Sequence, residues 1–189
     1  MDPVYISIGC DCACAYQLMK HNLRQMAMPF DWSKSNIKMI CEILENNFSN
    51  FFENIKTQEQ SDNFNKSDDS ALNLSENIKS RIKIRLSNGI VLPHESTETD
   101  FNYDDYKDKY QRRIDRFNNI VRDDKIKKIF IRSDDKKIKE ENKYRLNDIL
   151  QKYGCKNYEI IYINYSDYES VNFTWQREYI PWNNLFNKL

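Results

Sequence analysis

Lys128-Ile129-Phe130-Ile131-Arg132 is the stretch on which the fold turns. An unbroken apolar run between charged residues reads as a strand buried on both faces. Downstream, Lys136 to Tyr153 carries a helical pattern, with Tyr153-Gly154 as its stop. Glu159-Ile160-Ile161-Tyr162-Ile163 then reads as another buried strand. Upstream, Tyr103 to Arg122 is the clearest helix, with Tyr106, Tyr110, Ile114, Phe117 and Val121 at spacings of four, four, three and four. The hairpin signal is Ile82, Ile84 and Leu86 alternating with charge, Asn88-Gly89, then Ile90-Val91-Leu92, which Pro93 ends.

At the front, Val4 to Ile8 reads as strand one, and Gly9 breaks it. Asp11 is a good N-cap for a helix from Cys12 to His21. Met28-Pro29-Phe30-Asp31-Trp32 forms an ordered aromatic loop, and a helix starts after Ser35 with Ile37, Ile40, Cys41 and Leu44 on one face. The tail from Phe173 packs back as a partial helix. Strands alternating with amphipathic helices predict a single α/β layered domain over 1–189, with a short, mostly parallel sheet, a β-hairpin and flanking helices. A polar stretch at 57–77 reads as a flexible insertion. The three strand ends, Gly9 to Cys12, Arg132 to Asp134 and Asn164 to Asp167, are expected to converge on one crevice.

Composition narrows the function. The chain has 189 residues and zero formal net charge. That balance argues against a whole-surface nucleic-acid binder and a polybasic membrane module. No apolar run suits a membrane span, and Met1-Asp2-Pro3 does not begin a signal peptide, so a cytoplasmic protein is expected. Asn, Ile and Lys number 22, 21 and 19, which points to an A+T-rich genome, such as that of a large DNA virus, and warns against reading Lys tracts as motifs. The five cysteines are an odd count, and C-x-C-x-C at Cys10, Cys12 and Cys14 lacks the second pair a structural zinc site wants. Neither metal nor cofactor is expected.

Cys12 is the first chemical candidate. At a helix N-terminus after a strand, unpaired N–H groups and the helix dipole favour a thiolate. A small buried apolar residue is the bland alternative, and Asp11 at the cap opposes ionisation. Of the two histidines, His21 lies roughly 13 Å along the same helix at ordinary rise. His94, in a Pro93-His94-Glu95 loop, is the other imidazole. Glu95, Asp100, Asp104 and Asp31 are candidates to orient it. Arg132, at a strand's carboxyl end, suits carboxylate or phosphate recognition, while Arg112, Arg113 and Arg116 read as a solvated face beside Asp108 and Asp115.

Ser7-Ile8-Gly9, Cys12, Tyr16-Gln17-Leu18, Leu23-Arg24, Pro29-Phe30-Asp31-Trp32, His94, Lys109-Tyr110, Arg112-Arg113-Ile114-x-Arg116-Phe117 and Phe130-Ile131-Arg132 together resemble the DUF1796 family, assigned to the papain-like cysteine peptidases. The resemblance spans residues 4 to 165. It implies Cys12 as nucleophile and His94 as base, with Asp100 as the third member. Substrate contacts are expected at Gly9, Asp31, Trp32 and Arg132. The partner would be a peptide or protein substrate, a host protein among the options if the chain is viral, acting in host cytoplasm. Two other readings stand beside it: a non-peptidase enzyme or binder for an anionic small molecule such as a nucleotide-sugar, and a catalytically silent viral interaction protein.

Overall fold

The computed structural model describes residues 2–61, 80–96, 101–168 and 175–187. Two sheets organise them. Strands β1 (Val4–Ser7), β5 (Lys128–Asp134) and β6 (Tyr158–Asn164) form a parallel sheet in the order β1-β5-β6. Strands β2 (Lys56–Ser61), β3 (Ser80–Arg85) and β4 (Val91–Ser96) form an antiparallel sheet in the order β2-β3-β4. Helices α1 (Ala13–Lys20), α2 (Ile37–Glu45), α3 (Tyr103–Arg122), α4 (Glu140–Lys152) and α5 (Trp182–Phe186) complete the α/β arrangement. None of these helices is long and apolar enough to cross a membrane.

The central strand explains the sheet. Side chains alternate across a strand, so Phe130 enters one core and Ile129 and Ile131 enter another. The first core gathers Val4, Ile6 and Phe130 with Phe30, Phe48 and Phe117, and it extends to Ile84 and Leu92 of the antiparallel sheet. Phe117 meets Phe48 edge-on at 5.6 Å and Phe30 at 6.0 Å, contacts that add about 0.5–1.5 kcal/mol each beyond area burial. The second core packs Ala13, Leu18, Trp182 and Phe186 over the opposite sheet face. With both faces covered, β5 has no room for alternating polarity, which is why it reads as a continuous apolar run.

Helix α3 runs over the expected residues, and its five expected apolar positions are buried. Asn102 caps it by accepting from the Asp104 and Asp105 N–H groups. Asn36 caps α2 in the same way through the Met39 N–H. Gly154, at φ +89°, closes α4 with the Cys155 N–H bonded back to the Leu150 carbonyl. That helix starts at Glu140 rather than Lys136: the chain bends at Asp135 and Lys136 and stays outside the helix to Lys139, with the Ile138 N–H donating to Asn164 Oδ1.

Two expectations need correction. Residues 57–61, read as the start of a polar insertion, are the body of β2 and pair with β3. Their polar sequence suits an outer strand of a small sheet. Residues 62–79 lie outside the described residues. Second, Pro93 does not end the hairpin, since β4 continues to Ser96. The pairing slips instead: Ile84 faces Leu92, but Ile82 faces Ser96. Pro93 has no N–H to give to a ladder, and an edge strand absorbs it as a bulge.

Candidate functional site

The carboxyl ends of the three parallel strands converge as the sequence implies. After β1, the Cys10 N–H donates to the Ser133 carbonyl at 3.1 Å. Gly9 permits this approach, because a Cβ there would sit 2.8 Å from both Cys14 Sγ and Ser133 Oγ. Ser133 Oγ lies 3.1 Å from Cys14 Sγ and 2.8 Å from the Tyr165 hydroxyl. Tyr165 follows β6 and donates to Asp11 Oδ1 at 2.9 Å. The Ala13 N–H also donates to Asp11 Oδ1, at 3.0 Å; the cap position itself is Cys12 rather than the expected Asp11, which closes a turn one residue earlier. Arg177, from the tail, reaches Asp11 Oδ2 at 3.4 Å and Asp135 Oδ1 at 2.9 Å, with its guanidinium 4.5 Å above the Tyr165 ring.

The electrostatics of this cluster follow from burial. Asp11 is raised above the usual carboxylate range chiefly by desolvation, while the Ala13 N–H, the Tyr165 hydroxyl and Arg177 pull it back. Cys12 stands where α1 begins and is only 6% exposed. Burial pushes its thiol up to about 12, the Asp11 charge adds to this, and Lys34 opposes it. Cys14 is pushed to about 12 for the same first reason, and Cys10 higher still. Desolvation at this helix start therefore acts against the thiolate.

Arg132 is fully buried. Its Nη1 donates to the Ile8 carbonyl at 2.8 Å, and its Nη2 donates to the Ser35 carbonyl at 3.2 Å and to Asp134 at 2.7 Å. Its fork thus holds the ends of β1 and β5 to the Ser35 loop, and the only side-chain nitrogen without a partner, Nε, is buried. Asp31 is also buried, accepting from Arg24 Nε and the Met28 N–H, each at 2.9 Å. Trp32 adopts a left-handed backbone at φ +60° with the Arg24 guanidinium 5.9 Å over its ring. These two residues shape the aromatic loop, which Arg116 ties to α3 by donating to the Ala27 carbonyl.

The site's link to β4 is a backbone one. The Ser35 N–H donates to the Cys10 carbonyl at 3.0 Å, and Lys34 exchanges both backbone hydrogen bonds with Val91 at 2.7 and 3.0 Å. So the Cys10–Cys12 turn, the 33–35 loop and β4 lie side by side. His94 falls within β4, three residues beyond Val91, in the stretch where pairing slips. The His94 side chain and all of Asp100 lie outside the described residues. Asp104 lies in the first turn of α3, and Tyr103 of that turn contacts the Phe52 carbonyl.

Sequence reasoning placed Ser133 and Tyr165 within the converging segments without giving them a role, and it did not name Arg177. The role of Ser133 and Tyr165 could have been found from their places at strand ends. Arg177 carries no local signal. Cys10 Sγ and carboxylate oxygens of Asp11 and Asp135 lie within 4.8 Å of one another, but the Arg177 guanidinium already supplies the positive charge there.

Comparison with known proteins shows the family. A family described as "Putative papain-like cysteine peptidase (DUF1796)" matches residues 3–167. The chain belongs to this family. It is similar to "Uncharacterized protein R408" of Acanthamoeba polyphaga mimivirus, 35% identical over 172 residues, which cover 86% of this chain and 76% of that protein. That relative is from a large DNA virus, the kind of source suggested by the Asn, Ile and Lys excess. No solved structure matches.

Proposed function

We propose that the chain is a thiol hydrolase of peptide or isopeptide bonds, with Cys12 as nucleophile, His94 as general base and Asp100 as the group orienting His94. Family membership supports the general kind. The observation that carries the assignment of roles is the division between the sheets. Cys12 opens the helix that follows parallel strand β1, and His94 belongs to the antiparallel sheet. Papain-like enzymes put the cysteine helix in one lobe and the histidine on a β-sheet lobe; here a parallel strand directly precedes the cysteine helix, and the histidine lies on the antiparallel sheet. The Lys34–Val91 bridge brings that second sheet alongside the cysteine turn.

In this reading a neutral thiol is the resting form. As Sγ attacks the scissile carbonyl carbon, its proton passes to His94, which later gives it to the departing amine as the C–N bond breaks. Water then hydrolyses the thioester, returning the proton to sulfur. The Ala13 N–H is already given to Asp11, so other N–H groups of the first helical turn would receive the oxyanion. An anionic-ligand reading built on Arg132 draws less support, since its fork is spent on internal partners.

The test is labelling by an electrophilic peptide ketone, followed by mass spectrometry. Wild type is expected to be modified at Cys12, and Cys12→Ala is expected to lose all modification. Equal labelling of the variant overturns the proposal.

A further inference from the structure

Beyond the family match, residues 175–178 pack along α1. Trp175 packs edge-on against Tyr16 at 5.0 Å, the Gln176 carbonyl accepts from Gln17 Nε2 at 2.7 Å, and Glu178 pairs with Lys20 at 2.7 Å. At the centre of this strap Arg177 turns inward, its side chain only 11% exposed. Its backbone is left-handed, at φ +54°, a conformation unfavourable for a residue with a Cβ. Its carbonyl is pinned by the Trp182 Nε1 at 2.8 Å and the Ile180 N–H at 3.1 Å. The strap is thus built to deliver one guanidinium into the strand-end crevice, next to the residue that precedes Cys12.

What receives it has a definite chemistry. Two carboxylates, Asp11 and Asp135, flank the group, and the Tyr165 ring lies under it at 4.5 Å. Carboxylates meet a planar fork along its edges, and an aromatic face stacks on its plane. A compact ammonium would use the charges but not the plane. We propose that Asp11, Asp135 and Tyr165 form a guanidinium subsite, occupied here by the chain's own Arg177, which takes the arginine side chain of a bound peptide when Arg177 withdraws. This rests on the reading of a peptide-directed thiol enzyme and names its substrate class: peptides with an arginine beside the bond attacked. The tail then acts as an internal competitor.

The test is calorimetric titration of the full chain carrying Arg177→Gln with N-acetyl-argininamide, using N-acetyl-citrullinamide as the uncharged isostere. The variant is expected to bind the arginine compound with millimolar affinity, at least about tenfold tighter than the citrulline compound. Adding Asp11→Asn is expected to remove that binding. Wild type provides a second reading that needs no folded variant. Saturating N-acetyl-argininamide should displace Arg177 and alter the fluorescence of neighbouring Trp175 and Trp182, while the citrulline compound should not. Equal binding of both compounds, or no arginine-specific change in wild type, overturns the proposal. Binding here does not use the thiol. The titration therefore reports on this subsite alone, while labelling of Cys12 reports separately on the thiol chemistry.

Discussion

Tyr165 donates its hydroxyl proton to Asp11 Oδ1 across 2.9 Å, joining the end of β6 to the residue just before Cys12. Ser133, at the end of β5, lies 2.8 Å from the same hydroxyl. Three strand ends far apart in sequence are thereby held as one polar unit. The conformation of the Cys12 turn depends on this unit as well as on α1.

Tyr165→Phe removes a buried hydroxyl and leaves Asp11 and Ser133 short of a partner. The expected loss is about 1–3 kcal/mol of unfolding free energy, the cost of orphaning buried polar groups. Urea denaturation measures it. An unchanged midpoint would show that the unit does not bind the strand ends together.

The raised Asp11 carboxyl gives stability a definite dependence on pH. A carboxyl whose folded value lies above its unfolded value holds more protons in the native state. Unfolding free energy therefore falls as pH rises from the ordinary carboxylate range through the elevated folded value. Asp31, also raised by burial despite Arg24, acts in the same direction. Asp11→Asn should flatten part of that fall in denaturation curves taken from acid to neutral pH. An identical slope in the variant would contradict it.

Gly9→Ala places a methyl group 2.8 Å from Cys14 Sγ and Ser133 Oγ. Overpacking of this kind costs about 1–3 kcal/mol. Combining it with Cys14→Ala should recover part of the loss, a coupling that a double-mutant cycle reads directly. Strict additivity would place the strain elsewhere.

How much of this was legible in the sequence depended on how local the signal was. Helix α3 and the buried strand β5 were readable because their apolar spacing is set by burial within one element. Convergence at Gly9, Ser133 and Tyr165 followed from parallel pairing alone. Arg132 was legible as a strand-end arginine, but its internal role was not, because its partners Ile8 and Ser35 are 124 and 97 residues away. The slip in β4 escaped because a proline reads equally as a strand end or an edge bulge. Arg177 escaped because nothing in the aromatic-rich tail says that this polar side chain turns inward.

The Cys12 thiol is expected to behave as a protonated group. Its alkylation by iodoacetamide, followed by peptide mapping, should climb with pH above neutrality, since burial and Asp11 hold the thiol up near about 12. Asp11→Asn should raise the rate at fixed pH by removing the neighbouring charge. A plateau beginning near neutrality would instead indicate a thiolate already formed at rest.

The most direct measurement is the distance between Cys12 Sγ and the nearer His94 ring nitrogen in a crystal structure of the full chain. A separation of about 4 Å or less is expected, within reach for proton transfer from a neutral thiol. A separation that no single water could bridge, beyond about 6 Å, would contradict the assignment of His94 as the base.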